Sequence, residues 1–181
     1  MSFEKKSMDE LQRLNAEEFQ QAEKFPIVLI LDNFRSALNV GSLFRSADAF
    51  RIEAIYCCGI TPIPPHREIL KTALGSTESV SWKHFSNTAE AVMEIQGTHE
   101  VWALEQTHNS VALHTFHSQK PIALVLGNEV NGVDEAVLNL VTGSLEIEQH
   151  GTKHSLNVAV SGGIALFHLT LPSSMDDTTQ S

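Results

Sequence analysis

Three stretches of this chain place glycines, small polar side chains and a few charged residues at spacings that suit ligand chemistry. The first spans residues 33–50 and contains Asn39-Val40-Gly41-Ser42-Leu43-Phe44-Arg45. Asn39 can cap a helix, and Gly41 lets a second backbone come close. Arg45, four residues beyond Gly41, falls on the same side of that helix. A guanidinium there can hold a phosphate through two parallel hydrogen bonds. A capped helix with a surface arginine explains the same pattern without any ligand.

The second stretch is Leu124-Val125-Leu126-Gly127-Asn128-Glu129-Val130-Asn131-Gly132-Val133. Gly127 would let a ligand lie against bare backbone, and Glu129 can pair with a cation or accept from a hydroxyl. The spacing is neither that of a phosphate-binding loop nor that of the dinucleotide fingerprint, and an acid in the turn repels a pyrophosphate. The third stretch starts at Ile147, crosses a polar loop and reaches Ser155-Leu156-Asn157, where Ser or Asn suits a helix start. Beyond it, Ala159, Ser161, Gly162, Gly163 and Ala165 are small. The glycines lower helix propensity, which close packing against another backbone would offset, within the chain or across a dimer. Each stretch alone also fits an ordinary corner between a strand and a helix.

These segments need elements to position them. The capping box Ser7/Glu10 and the stripe Leu11, Leu14, Phe19 and Ala22 predict a peripheral helix over 8–23, ended by Pro26. Apolar runs over 27–31, 54–58, 101–104 and 122–126 predict strands, and 144–148 predicts another. The unbroken Ile27-Val28-Leu29-Ile30-Leu31 is the pattern of a strand buried on both faces. Helices are predicted over 40–50, 66–73, 89–95, 133–141 and 156–171, with Gly75 as the cap of the second. In the last of these, Leu156, Val160, Ile164, Phe167 and Leu171 recur at helical spacing. Alternation of strands and helices predicts an α/β domain with a mainly parallel sheet and helices on both faces. The expected organisation is a helical extension over 1–24, one domain over 25–172 and a disordered tail over 173–181.

Bulk properties narrow the partners. With 181 residues the chain can bury a core without disulfides. Adjacent Cys57 and Cys58 in an apolar run suit a buried strand. No run reaches the roughly 20 apolar residues of a membrane helix, and no signal peptide opens the chain, so no membrane partner and a cytoplasmic location are expected. Nine histidines include His114/His117 and His150/His154, but no cysteine or carboxylate cluster completes a metal site, so no metal is expected. Trp102 reads as core, and Trp82 stays open between core and base stacking. The net charge is −10, so a nucleic-acid partner needs a local basic face. Arg35, Arg45, Arg51, Arg67, Lys71 and Lys83 in the first half could build one.

Taken in order, Asn-x-Gly-x-x-x-Arg after the first strand, Leu-Gly-Asn-Glu-Val-Asn-Gly-Val, and Ser-Leu-Asn-Val-Ala-Val-Ser-Gly-Gly opening the last helix resemble the three signature motifs of the SpoU/TrmH methyltransferases, of the knotted SPOUT class. The resemblance covers roughly residues 27–171. It implies a deep trefoil knot in the C-terminal part, an exception to the rule against threaded chains. It also implies a homodimer packed through the motif helices, and S-adenosylmethionine as methyl donor to a ribose 2′-hydroxyl of RNA. Carried over by position, Gly127, Ile147, Ser155 and Leu156, with Leu104, would line the donor pocket. Arg45 would be the catalytic arginine, with Asn39, Glu129, Ser155 and Asn157 completing the site. One departure is the loop Glu148-Gln149-His150-Gly151-Thr152-Lys153-His154, where many relatives are more apolar and carry proline. Lys71 or Thr77 would lie near the RNA. Both tRNA and rRNA fit the resemblance, and the absence of a large RNA-binding extension favours tRNA. The alternative is a SPOUT-like protein that binds RNA without catalysis. A dehydrogenase is disfavoured because Asp32-Asn33-Phe34-Arg35-Ser36-Ala37 is no glycine-rich first turn.

Overall fold

The computed structural model describes residues 3–7, 10–11 and 13–172. Seven strands form one sheet: β1 (Phe25–Asp32), β2 (Ile52–Cys58), β3 (Ser81–Phe85), β4 (Glu100–Leu104), β5 (Val111–Ala112), β6 (Ile122–Leu126) and β7 (Gly143–Glu146). Their order is β3-β2-β1-β6-β4-β7-β5, and every pairing is parallel. Parallel neighbours need crossovers, which the helices supply. These are α1 (Ala16–Gln21), α2 (Ala37–Ala49), α3 (Arg67–Ala73), α4 (Ser76–Ser79), α5 (Thr88–Ile95), α6 (Glu135–Leu138) and α7 (Val158–Leu169). The sheet is thus wholly rather than mainly parallel, with helices on both faces as expected.

The apolar run of β1 divides between the two faces. Ile27, Leu29 and Leu31 join α2, α3 and α7 in one core cluster, with Leu43, Phe44, Ile69 and Leu166 among its buried members. Val28 and Ile30 join α5 and α6 in the other, with Val92, Ile95 and Val137. Cys57 and Cys58 point to opposite clusters, and burial pushes both thiols up to about 12. Trp102 packs on the first cluster with its ring centroid 4.7 Å from that of Phe116, and Trp82 lies against the same cluster.

Several elements depart from the sequence reading. Of the helix expected over 8–23, residues 8, 9 and 12 lie outside the described residues, and the helix formed is α1. Its capping box is Asn15 with Glu18. Ser7 and Glu10 do exchange the hydrogen bonds of a capping box, but Glu10 and Leu11 lie in a turn. The helix over 133–141 shrinks to α6, because Asp134 caps it one residue after Val133 is drawn into the preceding turn. The helix over 156–171 begins only at Val158, since Asn157 is its cap. The cap of α3 is Leu74, itself left-handed at φ 50, and Gly75 opens α4. Strands β3 and β5 and helix α4 carried no periodic signal: β3 is largely exposed and β5 is two residues long. The tail over 173–181 lies outside the described residues.

Candidate active site

The central strands end in register, with Leu31 beside Leu126, Leu104 beside Leu126, and Leu104 beside Leu145. The carboxyl ends of β1, β6, β4 and β7 therefore meet at one rim, where open parallel sheets bind ligands. A cavity of about 720 Å³ opens there. Leu104, Gly127, Ile147, Ser155 and Leu156 all line it, together with Glu129 and Asn157. These residues come from four segments up to 53 positions apart, and they converge on a space of the size typical of small-molecule sites.

One polar network ties two walls of this cavity to the helix starts. The Glu129 carboxylate accepts from the backbone N–H groups of Arg35 at 2.9 Å and Ser36 at 3.0 Å, and from Asn39 Nδ2 at 3.0 Å. Asn39 Oδ1 accepts in turn from Asn157 Nδ2 at 3.1 Å, while Asn157 Oδ1 caps α7 through the N–H of Ala159 at 2.9 Å. Asn39 is not the cap of α2. Ser36 is, and its hydroxyl accepts the Asn39 N–H. That frees the Asn39 amide to bridge Glu129 and Asn157. Burial works to raise the Glu129 pKa, but the donors from Arg35, Asn39 and Ser36 outweigh it and hold the carboxyl below its ordinary value. An acid at the start of α2 is also favoured by the helix dipole.

The turn after β6 closes on itself. Asn128 and Gly132 exchange backbone hydrogen bonds at 2.9 Å, and Asn128 Oδ1 accepts the N–H groups of Val130 and Asn131. Gly127 is required by this closure: a Cβ there would strike the backbone of Gly132 and Val133. The glycine expected to bare the backbone to a ligand thus serves the turn first, although it also borders the cavity. From Val130 to Asp134 every backbone N–H is taken within the protein. The turn is therefore no anion nest, in keeping with its departure from phosphate-binding spacings.

Two residues of this arrangement escaped the sequence reading. Asp32, only 2% exposed, accepts the Asp134 N–H at 3.0 Å and is bonded by Asn33 and Thr88. Glu105, just past β4, accepts the Val133 N–H at 3.0 Å. The available signal was an acid directly at the carboxyl end of an apolar strand.

Arg45 does not line the cavity. It stands on the exposed side of α2, over a separate concavity of about 420 Å³ bounded also by Ser42, Ser46, Phe50, Lys71 and Thr72. Gly41 is buried against α3 and admits its backbone, as expected: a Cβ there would collide with Thr72 and with the Ile69 carbonyl. Gly162 of α7 packs toward Leu43 and Leu126, so this small residue serves contact within the chain. His114, His117, His150 and His154 are exposed, and among the described residues no three His, Cys, Asp or Glu side chains group as metal ligands.

With the cavity and its motif residues placed, comparison with known proteins is decisive. Residues 26–167 match the SpoU rRNA Methylase family. The chain belongs to that family. Among curated relatives of this SpoU-family chain, the 23S rRNA (guanosine-2′-O-)-methyltransferase RlmB of Haemophilus ducreyi is 27% identical over 88% of the chain and 65% of the relative. The protein of the same name from Vibrio parahaemolyticus is 30% identical over 78% of the chain and 58% of the relative. The chain thus spans less than two thirds of the length of these relatives. The AdoMet-bound rRNA methyltransferase of Sinorhizobium meliloti superposes with a TM-score of 0.73 at 26% identity, over 83% of the chain and 58% of that protein. The TrmH/SpoU tRNA modifying enzyme of A. aeolicus superposes with a TM-score of 0.75 at 23% identity, over 86% and 78%. The SpoU-family fold implies the C-terminal trefoil knot. In this chain β6 pairs between β1 and β4, and β7 between β4 and β5, so each of these late strands lies between two earlier ones. No helix among the described residues is long and apolar enough to cross a membrane.

Proposed function

We propose that this chain is a cytoplasmic S-adenosylmethionine-dependent RNA methyltransferase acting on a ribose 2′-hydroxyl, with residues 25–172 as its catalytic domain. The observation that carries this reading is the convergence of Leu104, Gly127, Ile147, Ser155 and Leu156 on one cavity. The donor supplies an electrophilic methyl carbon on a sulfonium. The walls named above would hold it, and the Glu129–Asn39–Asn157 network would fix two of those walls relative to each other. The ribose oxygen bonds to the methyl carbon as the carbon–sulfur bond breaks, the donor leaves as a neutral thioether, and the hydroxyl proton passes to solvent. Arg45 is not the base, because a guanidinium offers only N–H donors and no acceptor for a proton. Its role is to hold a substrate phosphate and to stabilise negative charge developing on the 2′-oxygen. Lys71, on the same concavity, offers a second cation to the RNA backbone.

Arg45 lies outside the cavity of its own chain, so the reading joins catalysis to dimerisation. Helix α7 supports a homodimer: Leu156, Val160, Ile164, Phe167 and Leu171, from its approach to just past its end, are all 40% exposed or more. Helix α2 packs beside α7. A second copy seated on this face would bring its own Arg45 to the cavity. The substrate is an RNA. The curated relatives named above are 23S rRNA enzymes, and we favour rRNA over the tRNA expected from chain length alone.

The test is nucleoside mass spectrometry of RNA from cells with and without the gene, joined to calorimetry of S-adenosylmethionine on the purified protein. Loss of one 2′-O-methylnucleoside and saturable donor binding are expected. Absence of donor binding would sink the reading, and donor binding without any lost nucleoside would favour an RNA-binding protein without catalysis.

A further inference from the structure

The turn over 127–134 forms one wall of the cavity, yet its exit is not held by its own residues. Two acids from other strands hold it. Glu105 Oε2 accepts the Val133 N–H at 3.0 Å, while Glu105 Oε1 accepts the N–H of Gln106 at 2.9 Å. Asp32 Oδ2 accepts the next amide, Asp134, at 3.0 Å. Two consecutive amides are thus gripped from β4 on one side and β1 on the other. Gly132 has φ +71, and a Cβ on it would run into the Glu105 carboxylate, so the two residues are fitted to each other.

We infer that Glu105 is a positioning residue for donor binding, acting through the turn over 127–134. The inference rests on the methyltransferase reading above. Glu105 borders the cavity beside Leu104 and bonds the N–H of Val133, so its carboxylate ties the end of β4 to the turn after β6. Both of its oxygens are committed as acceptors of backbone N–H groups. Alanine removes both acceptors, whereas glutamine could turn its single oxygen to Val133 and keep that bond. An amide that loses its partner in a half-buried site opens more readily. The walls would then hold the donor less tightly, while the groups that touch the RNA stay in place.

The experiment uses Glu105→Ala and Gly132→Ala in the full chain. Gly132→Ala displaces the same carboxylate from the opposite side. Hydrogen exchange of the amides over 127–134 in the free protein reads the clamp, and titration with S-adenosylmethionine followed by steady-state kinetics reads its effect on the donor. Both variants should exchange Val133 at least about tenfold faster, with donor Kd and KM raised about five- to twentyfold and kcat at saturating donor within about twofold of wild type, since lost binding common to ground and transition state raises KM alone. The double variant should be little worse than Gly132→Ala alone, because that variant already loses the contact as well as straining the turn at φ +71. Unchanged exchange at Val133 overturns the clamp. Faster exchange with donor affinity within twofold of wild type overturns the positioning role. A fall in kcat at unchanged KM does the same. If the wild type itself binds no donor, the methyltransferase reading fails, while the exchange data still decide whether Glu105 holds the turn.

Discussion

Arg45 and Glu129 are the two charges on which the proposed chemistry turns, and they answer to different measurements. Arg45 has no protein partner among the described hydrogen bonds and ion pairs, so its removal leaves nothing buried unpaired. Arg45→Ala is therefore expected to lower turnover by roughly 100- to 1,000-fold, the usual loss when one oxyanion donor is deleted. Calorimetric donor affinity should stay nearly unchanged, and near-wild-type methylation would remove the assignment. Glu129 is structural as well as central, accepting from Arg35, Ser36 and Asn39. Its carboxyl is held below the ordinary 4.5 in the folded state. A depressed carboxylate stabilises the fold fully above its unfolded value, and that contribution is lost as pH falls through the lowered folded value. Denaturant titrations of Glu129→Gln and wild type should differ most near neutral pH and converge in acid. A gap that widens in acid would contradict the network.

At the scale of elements, the packing of α2 decides where the first motif points. Its Gly41 touches α3, and a methyl group there meets the Ile69 carbonyl and Thr72 rather than open space. A backbone carbonyl cannot swing aside as a flexible side chain can. Gly41→Ala should thus destabilise the protein by about 1–3 kcal/mol despite alanine's better helix propensity. Chemical denaturation measures this, and a stabilised variant would mean that α3 stands farther off. Helix α7 obeys the same logic on its inner side, where Gly162 admits Leu43 and Leu126. Its outer side stays apolar and exposed, with Val160 at 52% and Phe167 at 57%.

For the whole molecule, that outer face predicts a dimer with shared sites. Arg45→Ala chains keep the cavity but lack the arginine. Asn157→Ala chains lack a cavity support but keep the arginine. Mixed after dissociation, the two inactive proteins should recover about a quarter of wild-type activity, the share of sites completed by random pairing across a two-fold interface. No recovery from mixtures shown by sedimentation to contain heterodimers would mean that each chain serves its own cavity.

Much of this was legible in the residues. The run Ile27-Val28-Leu29-Ile30-Leu31 alone determined a strand buried on both faces, because only a two-sided core accepts five consecutive large apolar side chains. The second and third motif stretches, by type and order, named residues that line the cavity, while the first stretch contributes none to its lining. Local pattern failed where neighbours decide: β3 and β5 exist because β2 and β7 offer free edges, and neither carries an apolar period of its own. Only the tertiary structure revealed that Asp32 and Glu105 grip the turn over 127–134, since a carboxylate's partners 28 and 102 residues away leave no mark on its own sequence context. It alone also separated Arg45 from the cavity, because the direction of a helical side chain depends on how the helix is seated and not on its spacing along the chain.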